Sequence, residues 1–247
     1  MLTAAPSTAT ATEASPFSEH EATYTVTRNG DQLGFLQSSL TQREDGLWHY
    51  RIESEATAFL IRVLGLSTTE AAWFAWADGS VLPLTYHHVA ERPGRDRFWQ
   101  HRYDWTDLHT DTTTHDGETR VPLAAGAVDP LTLRLAVAGE IAAGGGGEDL
   151  EFLVVERDEL ETQEYRFLRR ESLPVDGRCF ATQVYERFRK EGSSRNYTAW
   201  HAPALGGLPV RIVNVDDGDT IVIELDEWSP DAGLPERGAC PDDRNTG

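Results

Sequence analysis

The chain has 247 residues, of which 39% are hydrophobic and 26% are charged, so it is long enough to bury a sizeable core. Its net charge of −19 disfavours nucleic-acid phosphates and anionic membrane surfaces as partners. Lys190 is the single lysine among 22 basic residues, which fits adaptation to high salt as well as it fits an arginine-rich genome. No stretch approaches the roughly 20 apolar residues of a membrane-spanning helix, so we do not expect the chain to span a membrane.

The two ends of the chain differ in composition from its middle. Residues 1–20 are small and polar and lack the apolar segment of a signal peptide, although they resemble the flexible leader that often follows one. Residues 229–247 combine three prolines with many charges. We therefore predict a disordered leader over 1–20, a single β-rich domain over 21–228 and a disordered tail over 229–247.

Short apolar runs separated by turn residues predict antiparallel strands along most of the chain. Hairpin turns are indicated at Asn29-Gly30 and Asp217-Gly218, and Thr106–Thr119 reads as a polar loop or a short hairpin. About eleven or twelve strands result. The predicted fold class is mainly antiparallel β, as a large curved sheet or partial barrel covered by one or two helices.

Two segments interrupt the strand pattern. Asp129 suits a helix N-cap and Pro130 the first helical position, and the apolar residues that follow fit one helical face until the glycines at 144–147 end it. The composition of Thr57–Leu66 allows a short helix or a strand, and we favour the helix.

Few residues in the sequence point to a reaction. Cys179 and Cys240 could pair in an oxidising compartment or remain thiols in a reducing one, and neither has metal-ligand spacing. Five histidines lie between positions 87 and 115, but His87 and His88 are adjacent in a strand and point to opposite faces, so we predict no metal site. No nucleophile, phosphate-loop or dinucleotide-binding motif is present. We expect no enzymatic activity and no cofactor.

The aromatic residues are more suggestive than the polar ones, because most of the seven tryptophans fall inside predicted strands. An aromatic concave sheet face capped by a helix can hold a lipid-like ligand. The side chains we predict to line such a cavity are Phe59, Trp73, Trp76, Trp99 and Trp105. The alternative is that these aromatics are simply the core of a large sheet.

Several short motifs occur in a recognisable order along the chain. They are Tyr24-Thr25-Val26 with Gly34, Phe74 with Asp78-Gly79 and Pro83, Arg97 with Tyr103-Asp104-Trp105, Asp129-Pro130-Leu131, and Trp200 with Pro209-Val210-Arg211-Ile212. In this order, over about residues 20–228, the chain resembles the bacterial family called domain of unknown function 3108. The resemblance implies export to the periplasm and a mostly antiparallel β fold. It implies no activity and no functional residues.

These observations predict a non-enzymatic periplasmic protein that binds a hydrophobic or envelope-derived ligand, such as a lipid, in its curved sheet. The alternative is a structural or interaction protein of the cell envelope that takes no small-molecule ligand. The sequence does not identify a protein partner.

Overall fold

The computed structural model describes residues 15–56, 67–91, 97–188 and 193–240. In these residues, fourteen antiparallel strands form a single sheet. The strands are β1 His20–Arg28, β2 Asp31–Gln42, β3 Trp48–Ala56, β4 Ser67–Ala77, β5 Ser80–Glu91, β6 Arg97–Asp104, β7 His109–Thr114, β8 Gly117–Pro122, β9 Leu150–Glu156, β10 Glu159–Val175, β11 Arg178–Arg187, β12 Asn196–His201, β13 Pro209–Asp216 and β14 Asp219–Ser229.

The sheet is a meander whose two halves meet at its centre. Strands β1 to β8 follow one another outward on one side, and β14 to β9 do so on the other. The first and last strands pair with each other, with Val26 opposite Ile223. The two sheet edges, β8 and β9, are therefore consecutive in the chain, and the segment between them can bring the edges together.

The segment between β8 and β9 nearly closes the sheet into a barrel. The Val128 N–H donates to the Leu153 carbonyl at 2.9 Å, and the Val155 N–H donates to the Val128 carbonyl at 2.8 Å. Apolar side chains from both edges fill the seam. They are Tyr103, Val121, Leu123, Ala127 and Val155.

Helix α1, Thr132–Glu140, follows this segment. The helix begins two positions after the predicted first residue, Pro130, and Leu131 is its N-cap residue. The Asp129 carboxylate still stabilises the turn before the helix, where it accepts hydrogen bonds from the N–H groups of Leu131 at 2.9 Å and Thr132 at 2.7 Å. One face of the helix packs against the core cluster of β3–β5 through Leu131, Leu135 and Ala138. The opposite face packs against β9–β11 through Leu133, Val137 and Ile141. The helix therefore lies between the two halves of the sheet.

The predicted antiparallel β class is confirmed, with more strands than the eleven or twelve expected. The additional pair is β7 and β8, whose threonine-rich segments form the short hairpin that the sequence allowed. Among the described residues α1 is the single α-helix, and it continues into a π-helical turn at Ile141–Gly145. The helix predicted at Thr57–Leu66 lies outside the described residues.

Both predicted terminal boundaries are wrong in part. Phe17, in the predicted leader, is buried against Trp48, Phe74 and Trp76. Burial of this apolar side chain attaches the residues before β1 to the domain.

The predicted tail is likewise placed as far as residue 240. Cys240 forms a disulfide with Cys179 at the start of β11, which answers the pairing that the sequence left open. Arg237 bridges Arg178 in the backbone and donates to the Asp176 carboxylate at 2.9 Å.

Candidate ligand-binding chamber

Arg134 occupies an unusual place for a charged residue. It lies on α1 between the two apolar helix faces, and tyrosines from both halves of the sheet act on it electrostatically. Burial alone would lower the pKa of Arg134, but Glu70 and these tyrosines outweigh that effect and raise the pKa above its ordinary value. The side chain of Arg134, which is partly exposed, is therefore a permanent positive charge between the two halves of the sheet.

The guanidinium has no close partner among the described residues. No hydrogen bond, and no ion pair within 4.0 Å, joins it to any of them. Its nitrogens are not among the fully enclosed polar atoms that lack a partner, so each of them reaches open space. A partly exposed cation without a partner among these residues is left to bind solvent or a ligand beside the helix.

The groups that act electrostatically on Arg134 come from both halves of the sheet. We call the region that they share the Arg134 chamber and define it by Arg134, Glu70, Tyr50, Tyr165 and Tyr197. Burial raises the pKa of Tyr50 and of Tyr197, so both phenols stay protonated and can donate hydrogen bonds.

Glu70 is the negative group of the chamber, and its carboxylate has two neighbours. The Tyr86 hydroxyl donates to its Oε2 at 3.0 Å. The Nδ1 atom of His88 lies 4.0 Å from its Oε1. Burial lowers the pKa of His88, so this imidazole is neutral near pH 7. Glu70 acts on Arg134 electrostatically, but the two side chains form no ion pair within 4.0 Å.

Apolar residues of the inner sheet face beside the chamber keep partial exposure. Leu36 alternates with buried Gly34 and Ser38 in β2, and Ile223 precedes buried Leu225 by two positions in β14. Val26 pairs with Ile223 and is also partly exposed. Leu36 and Ile223 pack against the core clusters but are not fully covered by them, so part of this inner surface stays accessible.

A second polar group lies where α1 begins. The buried Oδ2 of Asp129, hydroxyl of Tyr103 and Nε2 of His101 all lack a hydrogen-bond partner within the described residues. Burial raises the pKa of Asp129 to about 7, although the N–H groups of Thr132 and Leu131 pull it the other way. Burial lowers the pKa of His101 to about 4. These atoms need a bound water or a polar ligand atom.

The predicted aromatic lining does not assemble as one surface. Trp73 stacks on His49 at 4.3 Å on the outer sheet face, with Arg43 over its ring, so its predicted place in an inner cavity is wrong. Trp76 and Trp99 face inward but pack against the core cluster of β3–β5. Phe59 lies outside the described residues.

The side chain of Trp105 is also held by neighbouring residues. Its indole N–H donates to the Pro83 carbonyl at 2.7 Å, and its ring stacks on Tyr103 at 5.8 Å. Sequence reasoning missed Arg134 and its tyrosines. An arginine between the apolar residues Leu133 and Leu135 was the one available signal, and it does not indicate what surrounds the side chain.

The histidines between 87 and 115 serve separate local contacts. His88 stacks on Trp99 at 3.6 Å, His101 contacts the Thr112 hydroxyl at 2.9 Å, and His109 lies 3.6 Å from Asp111.

One group of metal-ligand type does occur within the described residues, at the β6–β7 turn. Asp104, Asp107 and His109 offer atoms within 4.8 Å of one another. The Asp104 carboxylate accepts the N–H groups of Thr106 and Asp107 at 2.9 and 3.0 Å, so the turn itself explains its position.

A groove of about 820 Å³ lies between β1–β3, β14 and the tail beyond residue 229. Its lining includes three arginines (Arg51, Arg178 and Arg237), six carboxylates and six apolar residues, among them Phe180 and Leu234. Such a surface suits a polar partner better than a lipid.

Comparisons with known proteins inform the fold of the chain but not its function. No family model and no curated protein matches the chain. The chain is similar to the crystal structure of a β-barrel-like protein of domain of unknown function DUF1849 from Brucella abortus, at a TM-score of 0.55 and 10% identity, over 87% of this chain and 98% of that one. It has the fold of that uncharacterised domain.

A weaker structural match is the Pseudomonas aeruginosa MucA/MucB complex, at a TM-score of 0.32 and 13% identity, over 92% of this chain and 54% of that one. This likeness is too low to carry an argument. Within the described residues, no helix combines the length and apolar character that crossing a bilayer requires.

Proposed function

We propose that this chain is a periplasmic, non-enzymatic protein that binds a hydrophobic or envelope-derived ligand inside its curved sheet. The supporting observation is the Arg134 chamber, where Arg134 has accessible nitrogens without a partner among the described residues, together with the partly exposed apolar side chains on the inner face of β1, β2 and β14. A ligand with an apolar body and a polar end would cover both surfaces at once.

Two further observations support the proposed compartment. The Cys179–Cys240 disulfide suits an oxidising environment, since reducing compartments keep such pairs open. The order of motifs along the chain resembles domain of unknown function 3108, whose members are commonly exported. Membership of that family is part of the proposal.

The first experiment is native mass spectrometry of the protein purified from its own envelope fraction, before and after extraction with organic solvent. We expect an added mass in the lipid range that extraction removes. A clean mass of the bare chain in both samples would contradict ligand binding. Purification from the cytoplasmic fraction, with both cysteines reduced, would contradict the proposed compartment.

The groove favours the second candidate function, an envelope interaction protein without a small-molecule ligand. Arg178 and Arg237 stand beside Asp176 and Asp231, which offers charges of both signs to a polar partner surface. Crosslinking in the envelope, comparing the natural chain with an Arg51→Glu variant, tests this candidate. A crosslinked partner lost in the variant supports it, and no partner in either sample contradicts it.

A further inference from the structure

We infer that the Arg134 chamber is an anion site that selects ligands ending in a carboxylate or a phosphate, with the guanidinium as the anchoring group. This inference rests on the proposed function and specifies the chemistry of the ligand. A guanidinium offers five N–H donors in a planar fork that matches carboxylate and phosphate oxygens. None of these donors is bonded to a described residue.

The surroundings fit an anionic end group better than water alone. Tyr50 on β3 and Tyr197 on β12 act electrostatically on Arg134, and their phenol hydroxyls can donate to an anion. A hydrogen bond between a guanidinium and a carboxylate or phosphate is about twice as strong as one between neutral groups.

The apolar residues beside the chamber fix the orientation of the ligand. Leu36, Val26 and Ile223 lie on the central strands, away from the seam between β8 and β9. An alkyl chain would run along these side chains while its head group reaches α1. Glu70 limits the charge of the ligand, because a like charge nearby opposes a second negative group.

The test uses the full chain freed of lipid by organic extraction and refolded, with titration calorimetry of three probes that share one alkyl chain: dodecanoic acid, dodecyl phosphate and dodecanol. Inorganic phosphate is the fourth probe, which separates an amphiphile site from a site for the free ion. We expect the acid and the phosphate ester to bind at least about tenfold more tightly than the alcohol. Inorganic phosphate should bind more weakly than the ester, since it gains nothing from the apolar residues.

Two variants, expected to change the affinity for the acid in opposite directions, test whether the chamber causes the preference. Arg134→Gln should abolish the preference, so that the acid and the alcohol bind about equally. The affinity of this variant for the alcohol should stay within about threefold of the wild-type value. Glu70→Gln should instead raise affinity for the acid severalfold, because it removes a like charge. If Arg134→Gln does not fold, as judged by its thermal transition, the wild-type preference and Glu70→Gln decide the matter.

The outcomes separate the inference from the function on which it rests. Equal affinity for acid and alcohol in the wild-type chain would overturn the anion site and leave ligand binding intact. A preference that survives in Arg134→Gln would also overturn it. Absence of binding by every alkyl probe would overturn both the anion site and the proposed function.

Discussion

At the scale of single residues, two opposing effects act on the ionisation of the Asp129 carboxyl group. Its carboxylate caps α1 by accepting two N–H groups, yet it is fully buried and its Oδ2 has no partner among the described residues. Capping favours the ionised form and burial disfavours it. Burial dominates and raises the pKa of Asp129 to about 7.

This balance predicts how Asp129 affects stability as pH changes. The pKa of Asp129 is about 7 in the folded chain, above the ordinary value of 3.8, so the folded state holds the proton more tightly. The loss of stability caused by ionising buried Asp129 is therefore absent below pH 3.8 and grows as pH rises to about 7. Asp129→Asn keeps the cap without the charge and should gain up to roughly 4 kcal/mol over wild type across that range.

Urea unfolding at several pH values measures the difference between wild type and Asp129→Asn. Asp31→Asn, at an exposed position of β2, is the matched control and should show no such trend. Buried His101 and His201, whose pKa values burial lowers to about 4, affect both chains equally and cancel in the difference. A difference that stays constant between pH 4 and 7.5 would contradict the assignment.

Residue spacing alone could have identified some of these positions and not others. Asp129 before Pro130 is a local signal, and the helix start follows from it. Trp73 and Trp76 are three positions apart in one strand, so period-two alternation already places them on opposite faces. The environment of Arg134 depends on β3, β10 and β12, which lie far from it in sequence, so no local pattern reveals it.

At the scale of elements, α1 and the turn before β13 meet without space for a side chain. Gly207 has φ +83°, and a Cβ there would stand 2.2 Å from the Ala138 carbonyl oxygen. The Gly207 carbonyl also accepts the Nδ1–H of His201 at 2.8 Å. The turn is thus fixed on one side by the helix backbone and on the other by β12.

Gly207→Ala should therefore destabilise the fold more than an ordinary turn substitution. Left-handed backbone costs roughly 1–2 kcal/mol for alanine, and forcing a methyl against the helix adds about 1–3 kcal/mol. Gly218→Ala is the control, since its φ is +91° but no atom lies within 4 Å of the added Cβ. Thermal unfolding should show a much larger loss for Gly207→Ala, and equal losses would mean that the turn does not press on α1.

The strands illustrate why element type was predictable and element number was not. β3 alternates apolar and polar side chains in a simple pattern, so its prediction succeeded. β7 and β8 are rich in threonine and charge, and only Val121 of β8 is buried. They pair as a local hairpin with Thr114 opposite Gly117, but polar strands of this kind give no apolar alternation by which to count them.

At the scale of the whole molecule, pairing of β1 with β14 joins the first and last strands at the centre of the sheet. The groove lies beside this junction, and Asp231, Leu234 and Arg237 of the tail form one of its walls. The tail reaches that position through the Cys179–Cys240 disulfide. The two candidate sites are thus separate: the Arg134 chamber depends on α1, and the groove depends on the disulfide.

This separation predicts the behaviour of a Cys179→Ser, Cys240→Ser double variant. The disulfide spans 61 residues, and loss of a crosslink of that length costs about 4 kcal/mol in the chain-entropy account. Urea unfolding should show that loss, and hydrogen exchange should increase over residues 230–240 while α1 stays protected. Wild type in reductant should match the variant, and the variant should not respond to reductant.

The same variant discriminates between the two proposed functions. Because the chamber is built on α1 and the inner sheet face, alkyl-acid affinity should stay within about threefold of wild type, well below the tenfold change expected for loss of a charged contact. A partner bound through the groove should be lost, since one wall is released. If alkyl-acid binding disappears and partner crosslinking persists, the chamber depends on the tail and the proposed division of sites is wrong.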